Sequence, residues 1–178
     1  MKRLVIIILL LIPFLEIKAQ NTIPKHAIKL ELGGKGLIYN LSYEYNVATN
    51  FILSGGVSFL NLKEKQTEKS MIVMSFPLSV SYLLYFKNPA HNIEFGVGTM
   101  NLLTSGDLVE YKSVTDLYIN PLVIVGYRFY PVEKNWFLNV AFTPFYGTKS
   151  IINEEGYPFN ILGSRFQMWG SIGIGYKL

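Results

Sequence analysis

The feature that most constrains this chain is an alternation of apolar and small polar residues with a period of two. Residues 70–86 show it most clearly, because these seventeen residues carry no charge. Every second one is apolar: Ile72, Met74, Phe76, Leu78, Val80, Tyr82, Leu84 and Phe86. Successive side chains of a β-strand point to opposite faces, so the pattern predicts a strand with one apolar face.

The same period recurs along the chain and predicts eight strands. Clear segments cover residues 28–33, 37–46, 51–60, 70–86 and 165–178, and weaker ones cover 92–103, 117–130 and 136–146. Most of the connections alternate between short and long. The short ones are 47–50, 87–91 and 131–135, and the long ones are 61–70, 104–116 and 147–164. Gly34 to Gly36 is an exception, because a tight turn stands where the alternation predicts a long loop.

These features together predict an all-β fold, an eight-stranded antiparallel transmembrane up-and-down β-barrel. Only 16% of the residues are charged, against about 25% in soluble domains. A soluble secreted ligand-binding barrel would carry its charges outside, whereas here the few strand charges share the face of Ser, Gly and Asn. That face suits a small polar lumen filled by side chains, with the apolar face toward lipid.

The first nineteen residues have the pattern of a secretory signal peptide. Lys2 and Arg3 precede an apolar run from Leu4 to Leu15, and Ala19 is a small residue at the expected cleavage position. Twelve residues make a helix of about 18 Å, too short for a hydrocarbon core of roughly 30 Å. We therefore expect cleavage near Ala19/Gln20, which leaves residues 20–178 as the barrel domain.

Seven aromatic residues lie at strand ends beside the short turns and predict an interfacial girdle. They are Tyr43, Tyr45, Phe51, Phe86, Phe129, Trp136 and Tyr176. An aromatic ring with a polar tip suits the headgroup layer of a bilayer, which favours this interpretation over ordinary core aromatics.

Six charged residues share the lumen face near the ends of their strands. They are Lys29, Glu31, Glu44, Glu94, Arg128 and Lys177. Buried charges are tolerated only when they are paired, so we expect a salt-bridge network centred on Arg128, whose guanidinium can hold two carboxylates. Such a network could gate a pore, act as a proton-sensitive plug, or belong to a packed interior that seals the barrel.

The sequence gives no support for an enzyme. The two histidines, His26 and His91, belong at the end of the barrel that carries the short turns, so neither can act as a general base on the outer side. The absence of cysteine and of a His pair at ligand spacing predicts no catalytic, metal or cofactor-binding residue and no cofactor. Removal of residues 1–19 leaves a net charge of only +2, so no nucleic-acid partner is expected.

Several short motifs resemble the small outer-membrane β-barrel proteins of Bacteroidota. They are the junction Lys18-Ala19-Gln20, the run GYRFYP at 126–131, the run AFTPFYG at 141–147 and the run SIGIGY at 171–176. The architecture is similar to the eight-stranded OmpA and OmpX barrels. The last strand resembles the signal read by the barrel assembly machinery, with Tyr176 third from the end, although Leu178 stands where that signal usually has Phe.

The function predicted from these features is that of a non-enzymatic outer-membrane barrel. It would have a structural or surface-interaction role through the loops 61–70, 104–116 and 147–164. A small-solute channel or transporter of the outer membrane is an alternative, and a soluble secreted ligand-binding barrel is another. The expected partners are outer-membrane lipid and, during insertion, the barrel assembly machinery, with a monomer as the expected state. A surface ligand of these loops has no signature in the sequence.

Overall fold

The computed structural model describes residues 25–63, 70–106, 116–131, 133–147 and 166–178, and within them it forms eight strands. Six are continuous: β1 (His26–Gly33), β2 (Tyr39–Ala48), β3 (Phe51–Lys63), β4 (Ser70–Tyr85), β5 (His91–Gly106) and β6 (Asp116–Phe129). The last two are each interrupted once: β7a (Trp136–Phe142) with β7b (Phe145–Tyr146), and β8a (Phe166–Gln167) with β8b (Gly170–Lys177). The predicted strands are confirmed, with ends that differ by a few residues.

Each strand pairs in antiparallel fashion with the next one along the chain, and the first pairs with the last. β8b lies against β1 with Ala27 opposite Lys177 and Gly33 opposite Ser171. This ladder closes the sheet, so neither edge is left with unpaired backbone groups. Closure is what allows strands to cross hydrocarbon, where no water can satisfy an exposed N–H or C=O group.

Two prolines coincide with irregularities in the ladders. The pairing of β3 with β4 is interrupted between Gly55 and Ser58, opposite Pro77, which has no N–H to donate. Pro144 lies in the gap between β7a and β7b, and its carbonyl accepts a hydrogen bond from the Val123 N–H at 3.0 Å. The chain is thus bent at these points while the barrel stays closed.

The outer surface of the barrel is an apolar belt. At the outward positions whose side chains the structure describes there is no Asp, Glu, Lys or Arg. The belt includes Ile28, Leu30, Leu41, Leu53, Val57, Leu78, Val80, Phe95, Val97, Val123, Val125, Leu138, Val140, Ile172 and Ile174. An apolar surface on every side of a closed barrel is the surface that lipid requires, so the fold is a transmembrane barrel.

The lumen is filled by polar side chains and by two apolar clusters. One buried apolar cluster, the loop-side cluster, lies toward the long connections and contains Val73, Met100, Leu102, Leu122, Ile124 and Ala141. A second, the turn-side cluster, lies toward the short turns and contains Ala27, Ile52, Leu83, Tyr85, Tyr130 and Phe137. The charged side chains lie between the two, while buried Ser and Asn residues also occur beside the apolar clusters, as Ser75 and Asn120 do opposite Leu102 and Met100. Apolar side chains thus pack across this narrow barrel together with the polar residues that the period of two predicts.

Some sequence predictions lie outside the described residues. The signal peptide at 1–19 is one, and the central parts of the three long loops, at 64–69, 107–115 and 148–165, are others. In the described part of the chain, no helix is long and apolar enough to span a membrane.

Packing inside the lumen gives a testable prediction about Gly175. A Cβ atom at this position would lie 2.1 Å from Cζ of Phe137, so alanine would force the buried ring to move. We expect Gly175→Ala to lower the free energy of unfolding by about 1–3 kcal/mol, as overpacking of a core does. Urea unfolding in detergent, followed by tryptophan fluorescence, measures this.

Gly55→Ala is the matched control. Its Cβ would meet only a Leu78 methyl carbon, at the ordinary distance of 3.4 Å on the outer surface. We expect its unfolding midpoint to stay close to that of the original protein, and an equal loss in both variants would contradict the packing explanation.

Candidate functional site

The charged residues of the lumen form a single layer, which we define as Lys29, Glu31, Lys35, Glu44, Glu94 and Arg128. All six side chains are buried, in a barrel whose outer face is apolar. The period of two explains the placement: β1, β2, β5 and β6 each turn alternate residues inward. Three positive and three negative side chains make the layer neutral overall.

Arg128 is the centre of the charged layer. Its Nη1 and Nη2 donate to the two carboxylate oxygens of Glu44 at 2.6 and 3.0 Å. Its Nε and Nη2 donate to Glu94 at 2.6 and 3.0 Å. The guanidinium thus holds two carboxylates, each through two hydrogen bonds, a geometry that a planar fork of five N–H donors permits and an ammonium does not.

Lys29 extends the layer from Glu44 toward β1. Its Nζ lies 3.0 Å from Glu44 Oε1 and 3.0 Å from Glu31 Oε2. Glu44 therefore forms ion pairs with both Arg128 and Lys29, and Lys29 forms a second ion pair with Glu31. On the other flank, Asn139 Nδ2 donates to Glu94 Oε2 at 3.2 Å.

Lys35 belongs to the layer although the sequence analysis did not assign it there. The three residues Gly34–Gly36 form a turn of 3-10 helix that folds into the lumen, with Lys35 only 3% exposed. Its Nζ donates to Ser79 Oγ at 3.2 Å. Gly33 and Gly34 adopt φ values of 75° and 67°, which glycine takes readily and which let the turn fold inward. The tight GGKG connection was the available signal.

Lys177, by contrast, lies away from the ion pairs that join Lys29, Glu44, Glu94 and Arg128. It sits at the end of β8b, partly exposed, with its Nζ 5.4 Å from the centre of the Tyr130 ring. The Tyr130 hydroxyl is 3.4 Å from Arg128 Nη1, so Tyr130 stands between this lysine and the layer. The period of two correctly predicted that Lys177 lies on the lumen face, but it did not predict how deep in the barrel the side chain lies.

The charged layer is enclosed on both sides by the apolar clusters. Along β6 the inward residues run from Leu122 and Ile124 of the loop-side cluster to Arg128 and then beyond the strand to Tyr130 of the turn-side cluster. The Arg128 guanidinium lies 5.4 Å from the centre of the Phe137 ring. The attraction between opposite charges is stronger between apolar layers than in water, because little water is present to screen it.

The predicted girdle residues all lie at the end of the barrel that carries the short turns, which we call the turn rim. Tyr43, Phe51, Phe86, Trp136 and Tyr176 are exposed on the outer surface, while Tyr45 and Phe129 are half-buried. The opposite rim also carries exposed aromatic residues, Phe59, Tyr146 and Phe166, which the sequence analysis did not assign. Aromatics therefore mark both ends of the apolar belt, as in transmembrane barrels generally.

The two histidines occupy equivalent places on the turn rim, and they reveal an internal repeat. His26 begins β1 and lies opposite Tyr45, while His91 begins β5 and lies opposite Phe129. In sequence, HAIK at 26–29 corresponds to HNIE at 91–94, and YEY at 43–45 corresponds to YRF at 127–129. Strands β1 and β5 are four apart in a closed ring of eight, so the two matching strand pairs, β1 with β2 and β5 with β6, lie on opposite sides of the barrel.

The repeat extends to the backbone near the turn rim, and at two inward positions its charges are of opposite sign. The Leu83 N–H donates to the Asn50 carbonyl at 2.7 Å, and the Lys177 N–H donates to the Asn135 carbonyl at 2.6 Å. Lys29 and Glu44 of the first half correspond to Glu94 and Arg128 of the second half. At these two matching positions the charges of the two halves are thus opposite, and the charged layer brings them together. The repeated His-x-Ile motif could have revealed this in the sequence.

The carboxylates of the charged layer and the two histidines lie on different faces of the barrel wall. Every carboxylate of the charged layer faces a cation or lies buried beside one, and both histidines point outward. Among the described residues no group of three or more His, Cys, Asp or Glu side chains could hold a metal ion.

Comparison with solved structures supports the fold. The N-terminal β-barrel domain of Pseudomonas aeruginosa OprF matches with a TM-score of 0.53 at 11% identity, over 86% of this chain and 98% of that one. Neisserial surface protein A, NspA, matches with a TM-score of 0.52 at 14% identity, over 86% and 94%. Both are eight-stranded outer-membrane barrels, and at these identities the likeness shows the fold alone. No protein-family model and no curated protein matches the sequence.

The charged layer gives a prediction about stability. Arg128→Met leaves the buried carboxylates of Glu44 and Glu94 without their main cation. We expect it to lower the free energy of unfolding by about 3–5 kcal/mol, the usual cost of removing one partner of a buried ion pair. Urea unfolding in detergent measures the loss, and adding Glu94→Gln to the variant should recover part of it.

Lys177→Met serves as the control, because it removes a positive charge at the partly exposed rim rather than in the layer. Its effect should stay below about 1 kcal/mol. If the two single variants lost equal stability, the central position of Arg128 would be contradicted.

Proposed function

We propose that this chain is a non-enzymatic outer-membrane protein whose sealed barrel holds its longer loops at the cell surface. The loops 61–70, 104–116 and 147–164 would carry a structural or surface-interaction role. The observation that carries this proposal is the filled lumen, in which a neutral charged layer lies between two apolar clusters. Such a barrel is suited to holding surface loops rather than to conducting solutes across the membrane.

The orientation in the membrane follows from the connections. The short turns and the final hydrogen bond, from the Leu178 N–H to the His26 carbonyl at 3.0 Å, lie at the turn rim. Outer-membrane barrels place short turns and chain ends in the periplasm and long loops outside. We therefore infer that the turn rim faces the periplasm. The predicted signal peptide, the cleavage near Ala19/Gln20 and the insertion by the barrel assembly machinery fit this route.

The apolar belt argues against the soluble secreted barrel. Leu78, Val97 and Ile172, on β4, β5 and β8b, are each more than half exposed although they are large and apolar. A surface of this kind on strands around the barrel would cause aggregation in water. The resemblance to Bacteroidota barrels and the likeness to the OprF and NspA structures support the same outer-membrane interpretation.

The channel alternative rests on the charges that cross the lumen. Side chains at the layer link β2 to β5 and β6 across the interior, through Glu44, Arg128 and Glu94. A conducting barrel would have to separate these pairs and also open both apolar clusters. The direct contacts at 2.6 Å favour a closed lumen over a passage for solutes.

Electrical recording distinguishes the two functions. We expect the folded protein in planar bilayers to show no steady ion conductance, because both apolar clusters block the lumen. Heat-modifiable migration on gels should verify that the reconstituted sample is folded. A steady open conductance from the folded barrel would contradict the sealed scaffold and support the channel.

Surface proteolysis tests the exposure of the loops. In intact cells we expect cleavage within 61–70, 104–116 or 147–164. An epitope inserted at 131–135 should become accessible only after the outer membrane is permeabilised. Accessibility of that epitope in intact cells would reverse the orientation, and extraction of the protein in aqueous buffer without detergent would contradict the membrane location.

A further inference from the structure

Two His–Tyr pairs stand on the outer surface of the turn rim, and we propose that each binds the phosphate of a glycerophospholipid. This inference goes beyond the proposed scaffold role and rests on the membrane location that the proposal includes. The pairs are His26 with Tyr43 and His91 with Tyr127. Neither pair has a part in the lumen, and of the four residues only Tyr43 is also a residue of the aromatic girdle.

The first pair is held by β1 and β2. His26 Nδ1 and the Tyr43 hydroxyl share a hydrogen bond at 2.5 Å. The imidazole also lies against the Tyr45 ring, with centroids 5.2 Å apart and planes inclined by 39°. The imidazole is thus held through Nδ1 and through one face of its ring, which leaves Nε2 for another hydrogen bond.

The second pair repeats the first on β5 and β6. His91 Nδ1 is hydrogen-bonded to the Tyr127 hydroxyl, and the imidazole lies 5.2 Å from the Phe129 ring at 43°. The distance from the imidazole to the tyrosine ring is 6.0 Å in both pairs. The pairs lie on opposite sides of the barrel, so the same construction occurs twice around one rim.

Each pair presents a hydrogen-bond donor whichever way its shared proton lies. If the tyrosine donates to Nδ1, the neutral imidazole carries its proton on Nε2. If Nδ1 donates to the phenol oxygen, the phenol proton is available instead. No described residue contacts Nε2 of His26 or of His91 through a hydrogen bond. A donor without a protein partner, at the boundary of an apolar surface, suits an anionic oxygen.

The position of the pairs points to a lipid as the source of that oxygen. The next outward residue on β1 is Ile28 and the next on β5 is Ile93, so each histidine stands at the edge of the apolar belt. Exposed Lys25 precedes His26, and exposed Lys87 follows Phe86, whose N–H donates to the His91 carbonyl. Acyl chains would lie on the belt, while the phosphate would meet the donor and the positive charge at the rim.

The test counts lipids bound to the purified barrel in a maltoside detergent, which contains no phosphate. Native mass spectrometry with added dioleoylphosphatidylglycerol should show two retained lipids per barrel. His26→Phe with Tyr43→Phe, and His91→Phe with Tyr127→Phe, remove both possible donors of a pair and should each reduce the number to one. The combination of all four substitutions, here called the double His variant, should retain none. Loss of a hydrogen bond to a charged group should weaken each site about tenfold or more.

Tyr176→Phe is the matched control, because it removes a girdle hydroxyl on β8b outside either pair and should leave two lipids bound. Dioleoylglycerol, which lacks the phosphate, should not be retained. Two lipids on the double His variant, or equal retention of dioleoylglycerol, would overturn the proposal. So would glycerol 1-phosphate shifting the imidazole NMR signals as strongly as the lipid does, because the site would then recognise free phosphate.

The absence of the two lipid sites can be distinguished from an error in the proposed membrane location. The double His variant should still migrate as a folded, heat-modifiable barrel and should still need detergent. If the original protein were soluble without detergent, the membrane location itself would be wrong, and that is measured before any lipid is added.

Discussion

A barrel wall surrounded by lipid must keep its charges inside and pair its backbone with itself. The ladder between β1 and β8b meets the second requirement by removing both sheet edges. The first requirement explains the charged layer: the described outward positions carry no Asp, Glu, Lys or Arg, and the buried charges of the strands face inward. Once inside, they must neutralise one another, because desolvated charges without partners cost several kcal/mol each.

Arg128 is where this neutralisation is achieved. It lies on β6 and holds Glu44 from β2, on the other side of the barrel, together with Glu94 from the neighbouring strand β5. Contacts of this kind require the barrel to be closed and correctly registered. The apolar clusters above and below depend on the same closure. The lumen is consequently a packed interior, which is why the barrel is better suited to holding loops than to passing solutes.

The repeated strand pairs, β1 with β2 and β5 with β6, differ inside the barrel and match at its outer rim. Matching positions in the two halves carry Lys29 and Glu44 on one side and Glu94 and Arg128 on the other, so the halves are complementary rather than identical. On the outer rim, where the requirement is the same all round, the residues match more closely: His26 and His91, each with a tyrosine and a second aromatic ring. Inward positions of the repeat differ because charges of opposite sign must pair in the lumen. Outward positions match because both face the same membrane boundary.

Much of the fold could be read from the sequence, because a period of two decides which face of a strand each residue occupies. The alternation in 70–86 determined the lipid face of β4, and the same rule put Glu44, Glu94 and Arg128 in the lumen. The period of two does not indicate how deep in the barrel a residue lies or which conformation a turn adopts. It therefore included Lys177, which lies at the rim, and omitted Lys35, which a glycine turn carries inside. Which charges meet, 84 residues apart in the case of Glu44 and Arg128, was decided only by the closed barrel, because closure and strand register alone determine which side chains face each other across the lumen.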